Sequence, residues 1–521
     1  MEDKGKTMKS PKIANWHILI LILIFALILR LPGISANFTG DEIDTVGPAR
    51  NFVVAGDFRA FDTAHGPSYN FTHPPVRTLL YSYWALMFGF SDIALRLVSI
   101  VFDIFFIVVV FLIAKSVYSE KVSIIAAGLA AVSRYSIWFA DTASVDTGHF
   151  LFTTSAAVLF FLIYVKNDDK RYLGTSFIFL LVSMLTKFST IIIFIPIIVG
   201  AYFYKKSTVG AVLIVSALLC TIFFMFVISS IFNNGQMFEE PLKVFLEYSS
   251  SSSPSIGEYL FNKVFKVATI SWQMTPFFAI MVFAAIYTLK KTKDFFIMAC
   301  WLILGFFIVF VPYGQDSQRY FGVALTPAYI LVAKYIESFD FRNKVMLLSV
   351  LATVAISLFI GLNDLMGYYA PAYLGIFYIA AVLPIMHRKY MKPVLMGGFL
   401  GLSLFFALTH ASNLYIVSDS VDALSKNVID NNYMYKEVWA SKDIAYYITP
   451  KNETVYLNLI PDINFFTMEN LRENNVMYIA FYSTPDENKI IEAAEFCLDA
   501  YTYSSYGHTI GFVCRVDQGK L

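Results

Sequence analysis

Two adjacent carboxylates, Asp41 and Glu42, stand in the stretch Gly40-Asp41-Glu42-Ile43-Asp44, just after the first long apolar run of the chain. A carboxylate within hydrogen-bond reach of a hydroxyl can act as a general base. More groups able to do chemistry recur later, each at a break between apolar runs. Asp141 and Asp146 flank one such break, Lys187 sits in another, and Asp316, Arg319 and Tyr320 lie in a third. Thr72-His73-Pro74-Pro75 turns the chain back toward apolar sequence, and two consecutive prolines stiffen that turn. Acids and fixed cations gathered at one set of breaks suit an acid–base reaction on a substrate with an anionic group. A charge left in hydrocarbon costs at least about 2.5 kcal/mol unless paired or hydrated. Asp146 and Lys187, closely flanked by apolar residues, are therefore expected to line a polar cavity. Taken singly, each also fits a span-end charge reaching for water.

The elements that position these groups are membrane spans. The chain is 57% hydrophobic and only 15% charged, against about a quarter charged in soluble domains. Apolar runs with polar breaks predict about 13 spans. They fall near 16–32, 93–114, 122–138, 149–165, 172–186, 189–204, 208–231, 267–289, 295–311, 323–336, 345–362, 371–386 and 394–417. Lysine and arginine mark every alternate loop: Lys4 to Lys12, Lys115 and Lys121, Lys166 to Arg171, Lys205 and Lys206, Lys290 to Lys293, Lys334 to Lys344, and Arg388 to Lys392. The positive-inside rule then sets the N-terminus inside and, with an odd number of spans, the C-terminus outside. The first run carries no cleavage signal at Leu29-Arg30-Leu31-Pro32 and is expected to remain as a span.

This frame puts a long first loop, about 33–92, outside. It reads as loop-like up to Thr72. The apolar piece Val76 to Phe90 must then lie on or dip into the outer surface, where Tyr69, Tyr81, Tyr83 and Trp84 suit an interface. Residues 418–521 are richer in charge and turn formers and predict a small soluble α/β domain outside the membrane. Its expected elements are a helix at Ile444 to Ile448, strands at Thr454 to Leu459 and Val476 to Tyr482, a helix at Lys489 to Cys497 and a closing strand at Ile510 to Val516. Cys220 and Cys300 lie in apolar spans. Cys497 and Cys514 could pair if the tail is outside the cytoplasm, although a short loop joining a helix to a strand constrains the geometry. A net charge of +1 predicts no nucleic-acid partner. Asn-x-Thr triplets stand at Asn37, Asn70 and Asn452, all placed outside, with Asn452 the one expected to be open to modification.

Gly40-Asp41-Glu42 at the first exit, His73-Pro74-Pro75, and Gly89-Phe-Ser-Asp-Ile-Ala-Leu-Arg96 resemble the opening of the GT-C glycosyltransferases. The group most resembled contains protein O-mannosyltransferases and lipid A aminoarabinose transferases. Ile137-Trp138-Phe139 followed by Asp146, then Thr186-Lys187, then Arg319-Tyr320 with Pro327, resemble later patterns of that group. The resemblance covers roughly residues 16 to 330 and is only general over the tail. It implies a GT-C-like membrane domain over 1–417 and an extracytoplasmic α/β domain over 418–521. It implies inverting transfer of a sugar from a polyprenyl-phosphate donor in the bilayer to a protein, lipid or glycan acceptor on the outer face. Asp41 would be the base, Glu42 would orient the acceptor or the loop, and Asp146 would assist. Lys187 and Arg319 would hold the phosphate, with His73, Arg96, Asp141 and Tyr320 also at the substrate. Relatives commonly carry basic residues where this chain has Asp141 and Ser144. The extra acid leaves open whether a divalent cation is held. The alternative is a transporter or flippase, marked by charges near mid-span and broken helices. Asp103, inside the second span, leans that way.

Overall fold

The computed structural model describes residues 13–38, 40–63, 66–68, 74–140, 142–143, 148–232, 278–308, 322–338, 418–431, 438–455, 477–482, 497–505 and 508–517. Helix α1 (Ile13–Arg30) is followed by a 3-10 turn, Gly40–Glu42, and by α2 (Ile43–Ala55). A short antiparallel hairpin, β1 (Phe61–Thr63) and β2 (Gly66–Ser68), precedes α3 (Val76–Phe88). The bundle continues with α4 (Asp92–Val117), α5 (Glu120–Ala131), α6 (Arg134–Ala140), α7 (Gly148–Asn167), α8 (Lys170–Met184), α9 (Phe194–Phe203) and α10 (Ser207–Phe232). After these come α11 (Phe278–Thr288), α12 (Lys293–Ile308) and α13 (Gly322–Glu337). The spans expected at 345–362, 371–386 and 394–417 lie outside the described residues, as does the first part, 267–277, of the one at 267–289.

Three described helices, α4, α7 and α10, are long and apolar enough to cross a membrane. At 1.5 Å per residue the 26 residues of α4 reach about 39 Å, more than the hydrocarbon thickness of about 30 Å. Capping sets its start: Ser91 Oγ accepts the Ala94 N–H at 3.2 Å. The faces turned away from the bundle are apolar, with Leu21, Ile24 and Ile28 on α1 and Leu219, Phe223 and Phe226 on α10 all exposed. In water such faces would be a liability; against acyl chains they are solvated. Close helix contacts hold the interior. A Cβ on Gly148 would meet the Asp103 backbone nitrogen at 2.2 Å, so only glycine lets α7 lie this close to α4.

Several expectations change. The expected span 122–138 is two helices, α5 and α6, divided at Val132 and Ser133. Likewise 189–204 is a 3-10 stretch, Phe188–Ile193, running into α9. The loop-like stretch after the acids holds a helix, α2, despite Pro48 inside it. Proline has no N–H for the carbonyl four residues back. That carbonyl, on Asp44, instead accepts from Arg77 Nη2 at 2.9 Å, so the helix defect becomes the anchor of α3. Helix α3 has 13 residues, about 20 Å, too short to cross and fitting a surface position. Its aromatics divide by face. Tyr81 is buried and shares a 2.7 Å hydrogen bond with Ser99, and Trp84 Nε1 donates to the Ala94 carbonyl at 2.7 Å. Tyr83 is exposed, with Leu86, Met87 and Phe88.

Asp103 is not a loose mid-span charge. Arg30 Nε donates to its Oδ2 at 2.6 Å, Ser136 Oγ donates to its Oδ1 at 3.1 Å, and both ionic partners are buried. The feature that leaned toward transport is thereby a closed ion pair tying α1, α4 and α6.

In the tail, residues 418–430 are helical, and β3 (Val438–Ala440), β4 (Tyr478–Tyr482), β5 (Cys497–Ser505) and β6 (His508–Val516) form a sheet in the order β3-β4-β6-β5. β3 and β4 are parallel and the other pairings antiparallel. A short helix, Lys442–Ile448, packs on the sheet through Ile444, Ala445 and Ile448 against Ala480 and Val513. Cys497 opens strand β5 instead of ending a helix, and it pairs with Cys514 on the adjacent strand at a Cα–Cα distance of 5.7 Å. Two side chains on neighbouring antiparallel strands meet far more readily than a helix end and a strand. The strand expected from Thr454 lies mostly outside the described residues, as does the helix expected from Lys489.

Candidate functional site

The acid turn is built by its neighbours. Gly40 has φ +54, a left-handed conformation natural to glycine, and it turns the chain from α1 into α2. The structure describes the backbone of Asp41 within the 3-10 turn. The Glu42 carboxylate points inward. Arg96 donates to it twice, Nε to Oε1 at 2.9 Å and Nη2 to Oε2 at 2.7 Å. The Ala143 N–H donates to Oε1 at 2.8 Å, so the break between α6 and α7 touches the long first loop.

Arg96 is fully buried at the start of α4. Besides Glu42, its guanidinium donates to the carbonyls of Ala36 and Asn37, the latter at 3.0 Å, and lies 4.9 Å from the Phe38 ring centroid. Its five donors match a ring of carbonyls and one carboxylate, the arrangement a planar guanidinium favours. The resemblance implied a substrate contact for Arg96; its partners among the described residues are the Glu42 carboxylate and the carbonyls of Ala36 and Asn37, so it straps residues 36–42 together. The same pairing makes Glu42 a fixed support of the turn.

Other expected groups converge through a chain of contacts. Arg77, near the start of α3, bonds Asp44 and Thr45 of α2. The Val76 N–H donates to the Leu185 carbonyl at 3.1 Å, which sets the turn after His73 beside Thr186-Lys187. Lys187 is buried, and its Nζ lies 5.7 Å from the Phe150 ring centroid, a cation–π contact with the first turn of α7. The Tyr81 and His149 rings meet edge to face at 6.0 Å. The acid turn, the base of α3, the break between α6 and α7 and the Lys187 break are thus linked by contacts. His73, Asp141, Asp146, Arg319 and Tyr320 lie outside the described residues. Among the described residues no three metal-ligating side chains come together.

Sequence reasoning missed the tail's part in these contacts. Asp443 Oδ1 accepts the Gly40 N–H at 2.6 Å. Tyr447 Oη accepts the Phe38 N–H and donates to Asp92 Oδ1 at 2.8 Å. Burial first, and the Asp92 carboxylate second, push the Tyr447 phenol far above its usual range, so it stays a donor. Arg50 of α2 donates to the carbonyls of Tyr446 and Thr449 at 3.0 and 2.9 Å and to that of Pro450, and lies over the Tyr446 ring. Asn51 Oδ1 accepts the Val455 N–H at 2.7 Å, and the Asp62 N–H donates to the Val455 carbonyl at 2.8 Å. Phe38, Ile43, Val46, Tyr81 and Leu95 share an apolar cluster with Tyr446 and Val455. The available signal was an arginine inside the apolar run Ala49 to Ala55 and the aromatic pair Tyr446-Tyr447, neither of which names its partner.

Residues 72–232, from the turn before α3 to the end of α10, match the family described as dolichyl-phosphate-mannose-protein mannosyltransferase. No curated protein matches by sequence. Among solved structures, ArnT from Cupriavidus metallidurans in the apo state is similar with a TM-score of 0.68 at 13% identity, over 96% of this chain and 98% of that one. The same protein bound to undecaprenyl phosphate gives 0.65 at 14% identity, with the same coverage. The Archaeoglobus fulgidus oligosaccharyltransferase in complex with Zn and sulfate gives 0.50 at 16% identity, over 95% of this chain and 72% of that one. The chain adopts the GT-C membrane fold of these proteins.

Proposed function

We propose that this protein is a membrane glycosyltransferase of the GT-C class that moves a sugar from a polyprenyl-phosphate donor to an acceptor hydroxyl on the outer face. The observation that carries the reading is the chain of contacts linking the Asp41 turn, the break between α6 and α7 and Lys187, within a fold similar to one that binds undecaprenyl phosphate in ArnT. Asp41 takes the proton of the acceptor hydroxyl. The acceptor oxygen attacks the anomeric carbon, the bond from that carbon to the phosphate oxygen breaks, and polyprenyl phosphate leaves with the electron pair. Attack from the side opposite the leaving group inverts the anomeric centre. Lys187 and Arg319 stabilise the charge that develops on the phosphate. In this reading Asp146 assists the transfer, Asp141, His73 and Tyr320 contact the substrate, and the acids among them leave open a divalent cation. Glu42 acts through the loop, as the partner of Arg96.

In this reading residues 1–417 form the catalytic membrane domain, residues 418–521 an α/β domain outside the cytoplasm, and the N-terminus is cytoplasmic. Exposed Asn452 in the tail stands ready for modification. The test is incubation of purified protein with a panel of polyprenyl-phosphate sugars, following release of the lipid phosphate. Release with one sugar of the panel, dependent on an acceptor, is expected. Binding of the panel without any release would turn the reading toward a transporter.

A further inference from the structure

The tail meets the acid turn through two side chains spaced four residues apart on one helix face. Asp443 and Tyr447 belong to Lys442–Ile448, and both reach backbone amides of the long first loop. The amides they hold belong to Phe38 and Gly40, the latter immediately before Asp41. Among the described residues, its chain neighbours aside, no atom lies within 4 Å of where a Cβ on Gly40 would stand. A glycine at φ +54 with open space around it has the widest conformational choice of any residue, so its hydrogen bond decides its state. The same tail takes hold of Asn37, whose N–H donates to Ser418 Oγ at 2.7 Å.

We propose that Asp443 and Tyr447 are positioning residues for the proposed transfer: the tail sets the geometry of the Asp41 turn without itself touching substrate. The kinetic half of this inference rests on Asp41 being the base. The Asp443 carboxylate draws in the Gly40 N–H, and the Tyr447 phenol, accepting from Phe38 and donating to Asp92, locks the preceding turn to the start of α4. Arg50, Asn51 and Asp62 dock the tail independently of these two, so the variants below keep the tail in place. Loss of the clamp lets Asp41 wander by a fraction of its reach, and a displacement of about 1 Å can lower a rate about 10²-fold.

The test uses the full chain in lipid nanodiscs with three variants, Asp443→Ala, Asp443→Asn and Tyr447→Phe. Hydrogen exchange is followed in peptides covering residues 33–44. Turnover is followed as lipid phosphate released from polyprenyl-phosphate mannose or from whichever sugar of the panel the wild type uses. Asp443→Ala is expected to speed exchange of the Gly40 segment about 10-fold or more and to lower kcat by about 10–10²-fold, with KM for the lipid donor shifted less than about twofold. Asp443→Asn retains an acceptor oxygen and is expected to restore most of both, while Tyr447→Phe frees the Phe38 amide and falls between. Unchanged exchange in Asp443→Ala overturns the clamp. Faster exchange at unchanged kcat overturns the positioning role, and a raised KM at constant kcat shows that the tail binds substrate directly. If the wild type releases no lipid phosphate with any sugar, the glycosyltransferase reading fails, and the exchange result still decides the clamp.

Discussion

Replacing Arg96 with methionine tests whether the long first loop is held by a buried charge. The guanidinium and the Glu42 carboxylate are both withdrawn from solvent, at 0% and 5% side-chain exposure, and joined by two hydrogen bonds. Arg96→Met removes the countercharge and leaves the carboxylate buried with the Ala143 amide, and it takes a donor from the carbonyls of Ala36 and Asn37. Removal of one member of a buried ion pair costs roughly 3–5 kcal/mol. The loop packs in an apolar cluster separate from the main helical core, so this cost falls on local opening of the loop and not on the bundle. At 1.4 kcal/mol per factor of ten, the open population rises by roughly 10²-fold to a few thousand-fold. Phe38 is fully buried, so chymotrypsin can cut after it only when the loop opens. Under conditions where reclosing outpaces cutting, cleavage after Phe38, read by mass spectrometry, should accelerate by the same factor. Arg96→Met combined with Glu42→Met removes both charges and should recover most of the loss. Wild-type cleavage in Arg96→Met, or a double variant as damaged as the sum of the singles, refutes the strap.

Four further outcomes are expected. Asp41→Asn keeps the size of the side chain but loses the base, and should lower turnover by roughly 10²–10⁴-fold with donor binding nearly intact; normal turnover in Asp41→Asn and Glu42→Gln together would remove the outer-acid mechanism. Lys187→Ala should weaken donor binding by roughly 10–10²-fold through loss of a charge-assisted contact, measured by titration with the lipid phosphate; unchanged affinity would assign Lys187 a structural role, with its Phe150 contact as part of it. Cysteines placed at Lys205 and Lys290 should label from the inside and those at Ser251 and Tyr482 from the outside, so labelling of all four from one side ends the topology. Protein recovered from native membranes should gain mass by alkylation only after reduction at Cys497 and Cys514; two freely alkylated thiols there would put the tail in a reducing compartment.

Local pattern and distant pairing were unequally legible. Apolar length is a one-dimensional property, and the runs read at 93–114 and 149–165 are α4 (Asp92–Val117) and α7 (Gly148–Asn167). Helix α2 was hidden because Pro48 reads as a stop; it persists since Arg77 takes the carbonyl that Pro48 leaves without a donor. The acid turn was visible from its place at the first exit, but the partner of Glu42 lies 54 residues away and that of Gly40 lies 403 away. Nothing local in Asp443 or Tyr447 marks them as the residues that hold Gly40 and Phe38. The same holds for Asp103, which alone in an apolar run suggests an ion path. Its partner Arg30 ends a different run, where a terminal cation reads as an anchor reaching for water. Each residue alone has an ordinary explanation that the other cancels. An arginine that snorkels cannot also be buried, and an acid that carries ions cannot also be held at 2.6 Å by a fixed guanidinium. Charges in apolar sequence therefore take their meaning from the fold that pairs them. Asp103 holds the helices and Glu42 the loop, and Asp41, on the turn that Glu42 supports, is the acid of the first exit proposed to meet the acceptor.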